Sequence, residues 1–463
     1  MTKDQVNIVI LGAGISGLTT AFLLEKEGYK TTILESRGEP GGAMQTIIED
    51  DFLVDFGPNS GLETTPLISK IAQEVGLKEE MIYANEASNK RYILRNGKLL
   101  ALPTSGPAFF TTSLFSLGAK LRLFKEPFIG KSEDGYYQSI ADFVRRRLGN
   151  EFYDYAIDPF VSGVFAGDPE KLSVKSAFPK LYRLEELYGG MIKGMIRGAR
   201  ERKKNAEKSK QTAKMFSFLY GMQTFPEAIT KSLKSGVIYN TKIQKVTRLE
   251  TGYEVEVQQG EDNIKIPADL IISTSPAYVT SSILSGIDSG LKSHLDEIYY
   301  PPVLVLYLGY KKEDIKRPLD GFGYLIPSKE KRKFLGAIWS STIFPNRSSS
   351  KTASFTLFVG GARNPGILKK DVNKLIDEVI KEFSEITSVQ GKPVYMKYKL
   401  WEKAIPQYNL GYIEHEKYFE KFEKENPGLF LSGNYRGGIS VGDCVKNSEV
   451  TTKRVTDYIN SLN

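Results

Sequence analysis

Side chains that often mark a site are scarce in this chain of 463 residues: one cysteine, two histidines and two tryptophans. The single Cys444 excludes an internal disulfide, a cysteine-held iron–sulfur cluster and a four-cysteine zinc site, and it fits a reducing compartment. His294 and His415 are isolated in the sequence, so a histidine-based metal site or triad would rest on one residue of each kind of surroundings. No metal site is therefore expected. No apolar run reaches the length of a membrane-spanning helix, and the opening "MTKDQVNIV" lacks the charged start and apolar run of a signal peptide. The reading is cytoplasmic, with peripheral attachment to the inner face of a membrane left open. A basic stripe with interleaved aromatics is also missing, so nucleic acid is not an expected partner.

What is present is ample core material. Hydrophobic residues make up 41% and charged residues 25%, and the length predicts two or three domains. The balance of 63 basic against 55 acidic residues gives +8, which suits an anionic small molecule or an anionic membrane surface.

The first motif is "VNIVILGAGISGLTTAFLLEKEGYKTTILESR", an apolar strand, a glycine turn, a helix and a second strand. Gly12, Gly14 and Gly17 stand at dinucleotide spacing. Gly12 permits the tight turn, Gly14 lets backbone approach a pyrophosphate, and Gly17 lets helix and strand pack closely. The helix start offers its N–H groups and positive dipole. Glu35 closes the second strand, where a carboxylate accepts from ribose hydroxyls, with Ser36 and Arg37 beside it. This spacing alone does not separate NAD from FAD. The C-terminal "LFLSGNYRGGISVGDCV" repeats the strand, glycine turn and helix start, and a second set of backbone amides favours the longer FAD.

Between these ends the chain changes character. From Pro103 a helical periodicity runs through "SIADFVRRRLGNEFYDYAIDPFVSGVFAG", and "MIKGMIRGARERKKNAEKSK", Met191 to Lys210, mixes apolar residues with cations before a charged tract. That tract reads as an exposed helix and loop, or as a membrane contact. After Gly221 come alternating strands and the apolar "ADLIISTSP"; beyond Pro301, "PVLVLYLGY", "GFGYLIPS", "FLGAIWSS" and "ASFTLFVGG" predict a mixed or antiparallel sheet. A helix is predicted over Asp371 to Phe383. The fold expected is α/β, or mixed α+β: a Rossmann-like FAD-binding domain, a substrate domain with a mixed sheet, and a helical lobe. The boundaries are 1–85, 221–298 and 396–463 for the FAD domain, 86–220 for the helical lobe with part of the substrate domain, and 299–395 for the substrate sheet.

The segments "DFGPNSGLETTP", "NKRYILRNGKLLALP", "VSGVFAGDPEKLSVKSAFPKL", "SSTIFPNR", "TLFVGGARNP", "KAIPQYNLGY" and "LSGNYRGGISVG" carry a resemblance across nearly the whole chain. The sequence resembles the protoporphyrinogen oxidases, a branch of the flavin-dependent amine oxidase superfamily. The resemblance implies noncovalent FAD held by Gly12, Ala13, Gly14, Ile15, Ser16, Gly17, Glu35, Ser36, Ala43, Gly57, Pro58, Asn59, Ser60, Val246, Trp401, Ile439, Ser440 and Val441. Trp401 has an alternative reading as core packing. On the substrate side it implies Arg91 for a propionate, Gly163 for a backbone carbonyl facing the pyrroles, and Leu325, Ile338 and Phe358 for apolar contact.

The implied reaction is the six-electron oxidation of protoporphyrinogen IX in three hydride transfers to flavin N5. Oxygen reoxidises the flavin and hydrogen peroxide is formed. The chemistry is flavin-centred and demands no catalytic acid or base, although Asn59 or a carbonyl near Gly163 could orient the leaving N–H. Coproporphyrinogen III is the alternative substrate, favoured by extra cations at the pocket, for which Lys90 and Arg95 are candidates. Amine oxidation lacks its mark, because "YRGGISVG" is glycine-rich where an aromatic cage is expected. A flavin-binding scaffold without turnover has no positive feature. A membrane surface, ferrochelatase or another haem-pathway enzyme, and a second copy of the chain are further implied partners.

Overall fold

Short apolar runs without polar alternation are the pattern of strands covered on both faces, and five of them form a parallel sheet. Its order is Val237–Ile238, Lys30–Leu34, Asn7–Leu11, Leu270–Ser273 and Leu429–Leu431. The computed structural model describes residues 3–202 and 213–462. Helices Ile15–Lys26 and Val441–Ser461 pack together over one face of this sheet, with Leu18, Leu24, Val445 and Val455 in a shared core. A three-stranded antiparallel meander, Thr241–Arg248, Tyr253–Gln259 and Asp262–Ala268, covers the other side with Val246, Val255 and Val257 buried.

The chain rejoins this lobe earlier than the expected residue 221. Strand Met215–Phe218 lies between Gly61–Leu62 and Met81–Tyr83, because Phe216 and Phe218 are fully buried in the same core as Leu18.

The second sheet has seven strands in the order Tyr395–Trp401, Val303–Lys311, Thr352–Gly360, Phe334–Ile338, Gly321–Leu325, Lys90–Arg95 and Lys98–Ala101. It is mixed, as expected: Gly321–Leu325 and Lys90–Arg95 run parallel, and the other pairs are antiparallel. Strand Tyr395–Trp401 carries the sheet past the boundary read at 395. Alternation gives the two faces different tasks. Leu304, Leu306, Leu308, Tyr324, Ala337 and Leu357 form a core under helix Val372–Thr387, which contributes Leu375, Val379 and Phe383. The opposite face looks toward the nucleotide-binding lobe, where Phe52, Val54 and Phe56 pack on Tyr307 and Tyr395.

The helical lobe includes Ile140–Arg147, Asp158–Phe165, Pro179–Tyr188 and Met191–Arg202. The charged tract over 203–210 lies outside the described residues. The lobe is organised around Arg147, which is fully buried with Glu126 and Glu185. The guanidinium bonds Glu126 at 2.6 Å, bonds Glu185 through Nε, and reaches Gly189 O at 3.1 Å. Glu126 also accepts the Met191 and Ile192 N–H groups at 2.7 and 3.1 Å, so one buried carboxylate starts the next helix. Removing the cation leaves the buried Glu126 without a counter-ion and Glu185 with Arg146 alone. Arg147→Met is therefore expected to destabilise the protein by about 3–5 kcal/mol in urea unfolding.

Candidate functional site

The first glycine turn has the geometry its spacing predicts. Gly12 sits at φ +106°, and its N–H donates to Leu34 O at 2.9 Å. A side chain at Gly17 would stand 2.1 Å from Gly12 O, whereas one at Gly14 would meet nothing within 4 Å. The open side of the turn is thus the Gly14 side, at the start of the helix, where an incoming phosphate would meet backbone N–H groups. Ala13 donates to Glu35 Oε2 at 2.8 Å. The other carboxylate oxygen, Oε1, accepts from the Arg37 N–H and the Ser36 hydroxyl. Ile15 and Ser16 are buried behind the turn, and Ser16 O accepts from Ser448 Oγ of the C-terminal helix at 3.0 Å.

Ala43 and the turn Gly57 to Ser60 are tied to this glycine turn through backbone links of the loop between them. Gly41 N–H donates to Ala13 O at 2.8 Å, which lays the loop carrying exposed Ala43 on the glycine turn. Phe56 N–H donates to Gln45 O at 2.9 Å, leading into Gly57, Pro58, Asn59 and Ser60. Trp401 Nε1 donates to Phe56 O at 2.9 Å, so the indole joins the two lobes while remaining partly buried against both. At the other end, Ser440 caps helix Val441–Ser461, and Ile439 packs on the cores of both the nucleotide lobe and the helical lobe. Val246 stands apart. Its side chain is fully buried, and only its place on an edge strand, whose first residue donates to Glu35 O at 2.9 Å, leaves it backbone to offer.

Four of the five expected substrate residues, Arg91, Leu325, Ile338 and Phe358, share one face of the seven-stranded sheet. Arg91, Gly323, Ile338 and Thr356 form one cross-strand row. Ile93, Leu325, Gly336 and Phe358 form the row beside it. Gly323, at φ +137°, and Gly336 interrupt the rows, and a side chain at either would strike backbone oxygen at 2.1 and 2.4 Å. The result is a shallow floor bordered by Arg91, Leu325, Ile338 and Phe358. Gly163 lies against Leu325 in the last turn of helix Asp158–Phe165, where helix carbonyls run out of intrahelical partners. A small cavity joins floor to cofactor turn, lined by Asn59, Ser60, Phe322, Ile338 and Arg347. The Arg91 guanidinium stands 5.3 Å from the centre of the Phe322 ring.

Several contributors escape sequence reasoning. Phe322 borders the cavity but belongs to a run that reads only as a strand. Asp158 anchors the helix carrying Gly163 by bonding Arg363 and the Ser328 N–H, each at 2.6 Å, a pairing between distant segments. Gln45 ties the Gly42 loop to Lys399. The histidines, separate in sequence, meet at 2.9 Å between Nδ1 atoms on helices Ser289–Asp296 and Tyr412–Glu425. Cys444 is buried, and burial pushes its thiol up to about 11.

The model of flavin-containing amine oxidoreductases matches residues 15–450. The chain belongs to the flavin-containing amine oxidoreductase family. It is 34% identical to protoporphyrinogen oxidase 2 of Arabidopsis thaliana, over 98% of this chain and 94% of that protein. It is 27% identical to coproporphyrinogen III oxidase of Bacillus subtilis, over 99% of this chain and all of that protein. Among solved structures, UDP-galactopyranose mutase superposes with a TM-score of 0.75 at 15% identity, covering 98% of this chain and 96% of the other. Putrescine oxidase superposes with a TM-score of 0.71 at 15% identity, covering 98% and 99%. These two likenesses concern the fold. An FAD-dependent oxidoreductase follows from family membership, and the open Gly14 side, the two helix starts and the backbone-lined loops fit an extended dinucleotide. Gly17→Ala is expected to strip most of the bound FAD, read as loss of the visible flavin band per protein after gel filtration, because the added methyl cannot fit beside Gly12 O.

Proposed function

We propose that this enzyme oxidises a porphyrinogen to its porphyrin in haem biosynthesis, with protoporphyrinogen IX as substrate. The observation that carries the reading is the sheet face itself: a shallow floor with aliphatic and aromatic borders and a cation at one end. A porphyrinogen is a broad, folded, mainly apolar ring with carboxylate arms, and such a floor complements it. The full-length relatives named for protoporphyrinogen and coproporphyrinogen oxidation support the same chemistry.

The choice between the two porphyrinogens turns on cations. Lys90 is paired with Asp320 at 2.6 Å, and Arg95 with Glu151 at 2.6 Å and stacked over Tyr155. Arg91 is exposed and has no salt-bridge partner among the described residues. One available guanidinium at this end supports a substrate with two propionates over one with four carboxylates.

Bound FAD, held noncovalently, supplies the two-electron acceptor, and oxygen takes the electrons onward. The chain's own work is positional. Arg91 holds a propionate, Leu325, Ile338 and Phe358 bracket the ring, and the Gly163 carbonyl accepts from a pyrrole N–H. Asn59, whose Nδ2 donates to Gly57 O at 3.2 Å, keeps its carbonyl oxygen available beside the cavity.

No helix among the described residues is long and apolar enough to cross a membrane. The helical lobe nevertheless exposes Phe110, Leu117, Phe124 and Phe128, the last 88% exposed. Lys125 lies in the same segment as Phe124 and Phe128, and exposed Lys193 and Arg197 stand on the helix Met191–Arg202 that packs against that segment. This crown supports docking on an anionic bilayer surface, convenient for a poorly soluble product. Replacing Phe124 and Phe128 together by Glu is expected to weaken cosedimentation with phosphatidylserine vesicles at least ~tenfold, since each buried Phe is worth about 1.5–3 kcal/mol.

Anaerobic mixing with protoporphyrinogen IX, coproporphyrinogen III and a panel of amines tests the function. Rapid flavin bleaching by protoporphyrinogen, with porphyrin fluorescence appearing, is the expected result; bleaching by amines alone contradicts it. Arg91→Ala is expected to lower kcat/KM for protoporphyrinogen at least ~tenfold, the scale of a lost charge-assisted contact. Unchanged kinetics would remove Arg91 from the site.

A further inference from the structure

Lys399 lies on the substrate face of the seven-stranded sheet but at its other end. It shares a row with Phe358 across Val305, and Trp401 follows it on the same face. Lys399 and Arg91 occupy strands five places apart, about 24 Å at ordinary strand spacing. The two cations therefore serve opposite ends of the floor.

The surroundings of Lys399 are those of the expected flavin. Its ammonium stands 4.5 Å from the centre of the Trp401 ring and 5.9 Å from that of Phe56. It donates to Gln45 Oε1, and Gln45 Nε2 donates to Gly42 O at 3.0 Å. Gly41, beside it, is bonded to Ala13 of the first glycine turn. The lysine is thus one side chain removed from the backbone that cradles the cofactor.

Its charge lacks a fixed counter-ion. Lys397, which faces the same way two residues earlier, pairs with Glu49 at 2.8 Å. Lys399 has no salt-bridge partner among the described residues; Glu39 acts on it only at longer range and is itself paired with Arg37. Burial, and then the nearby Arg37 charge, hold the Lys399 ammonium below the usual lysine range. A partly buried cation with no counter-ion in the protein favours a negative charge placed beside it.

We propose that Lys399 faces the bound flavin and raises its affinity for electrons, by favouring the reduced ring, which carries one negative charge after taking up a hydride, over the neutral oxidised ring. The hydride comes from the porphyrinogen carbon of the proposed reaction, whose pyrrole N–H proton leaves to solvent. Lys399 tunes the acceptor and is not itself a proton donor. The inference rests on the FAD reading of the site.

The test is the equilibrium reduction potential of FAD in the purified holoenzyme, measured against a reference dye at one pH. Lys399→Met is expected to lower the ratio of reduced to oxidised flavin at least tenfold at a given potential, which is ~30 mV for a two-electron couple. Lys399→Arg should restore most of the shift, and Lys397→Met should leave the potential as it is. If Lys399→Met loses its flavin, Lys399→Gln, which keeps a hydrogen bond to Gln45 without the charge, carries the same comparison. A wild-type potential in the uncharged variant, or an equal shift in Lys397→Met, overturns the proposal. Absence of FAD from the wild-type protein would overturn the reading of the site beneath it, and is seen before any variant is made.

Discussion

The alternation of side chains along seven paired strands is the constraint on which this molecule depends. One face must be apolar to hold helix Val372–Thr387, and the same register obliges the intervening residues to face the other way. Arg91, Leu325, Ile338, Phe358, Lys399 and Trp401 are those intervening residues. A slip of one residue in strand Lys90–Arg95 would carry Arg91 to the core face and turn the buried Leu94 away from it. Core stability and the layout of the site are therefore secured by the same pairing, and the site residues need no separate device to stay in position.

The nucleotide lobe works by a different economy, in which backbone does what side chains do elsewhere. The cradle proposed for the cofactor is made of N–H and carbonyl groups of the glycine turn, the Gly41–Gln45 loop, the Phe56–Ser60 turn and the start of the last helix. Glu35 beside it is engaged by Ala13 and Arg37 N–H groups and so stiffens the turn it borders. Such a cradle explains how a chain with so few histidines and cysteines can house redox chemistry: the reactive group arrives with the cofactor.

The two most deeply buried cations are paired within the protein. Arg147 is buried but answered by two carboxylates, and Arg347 is buried against Asp55 at 3.2 Å. Lys90 and Arg95 are answered at the surface of the substrate lobe. Arg91 and Lys399, at opposite ends of one floor, have no salt-bridge partner among the described residues. The contacts proposed for them, a carboxylate arm at Arg91 and the reduced flavin at Lys399, would each supply the missing negative charge.

Much of this was legible in the sequence, because its signals are local. Turn geometry at Gly12 and Gly17, the strand ending at Glu35, the four strand runs beyond Pro301 and the helix near Asp371 depend on residues close together in the chain. Family motifs named Arg91, Gly163 and Trp401 as candidates, which periodicity could not single out. Composition excluded disulfide and cysteine-cluster chemistry outright. Long-range pairing decided the rest. Whether Lys90, Arg91 or Arg95 is available depends on Asp320 and Glu151 in other segments, and Lys399 acquires its surroundings only when Tyr395–Trp401 docks beside Val303–Lys311 and meets Gln45. Strand alternation states that two residues share a face, but not what the face will meet; that is settled by packing between segments hundreds of residues apart.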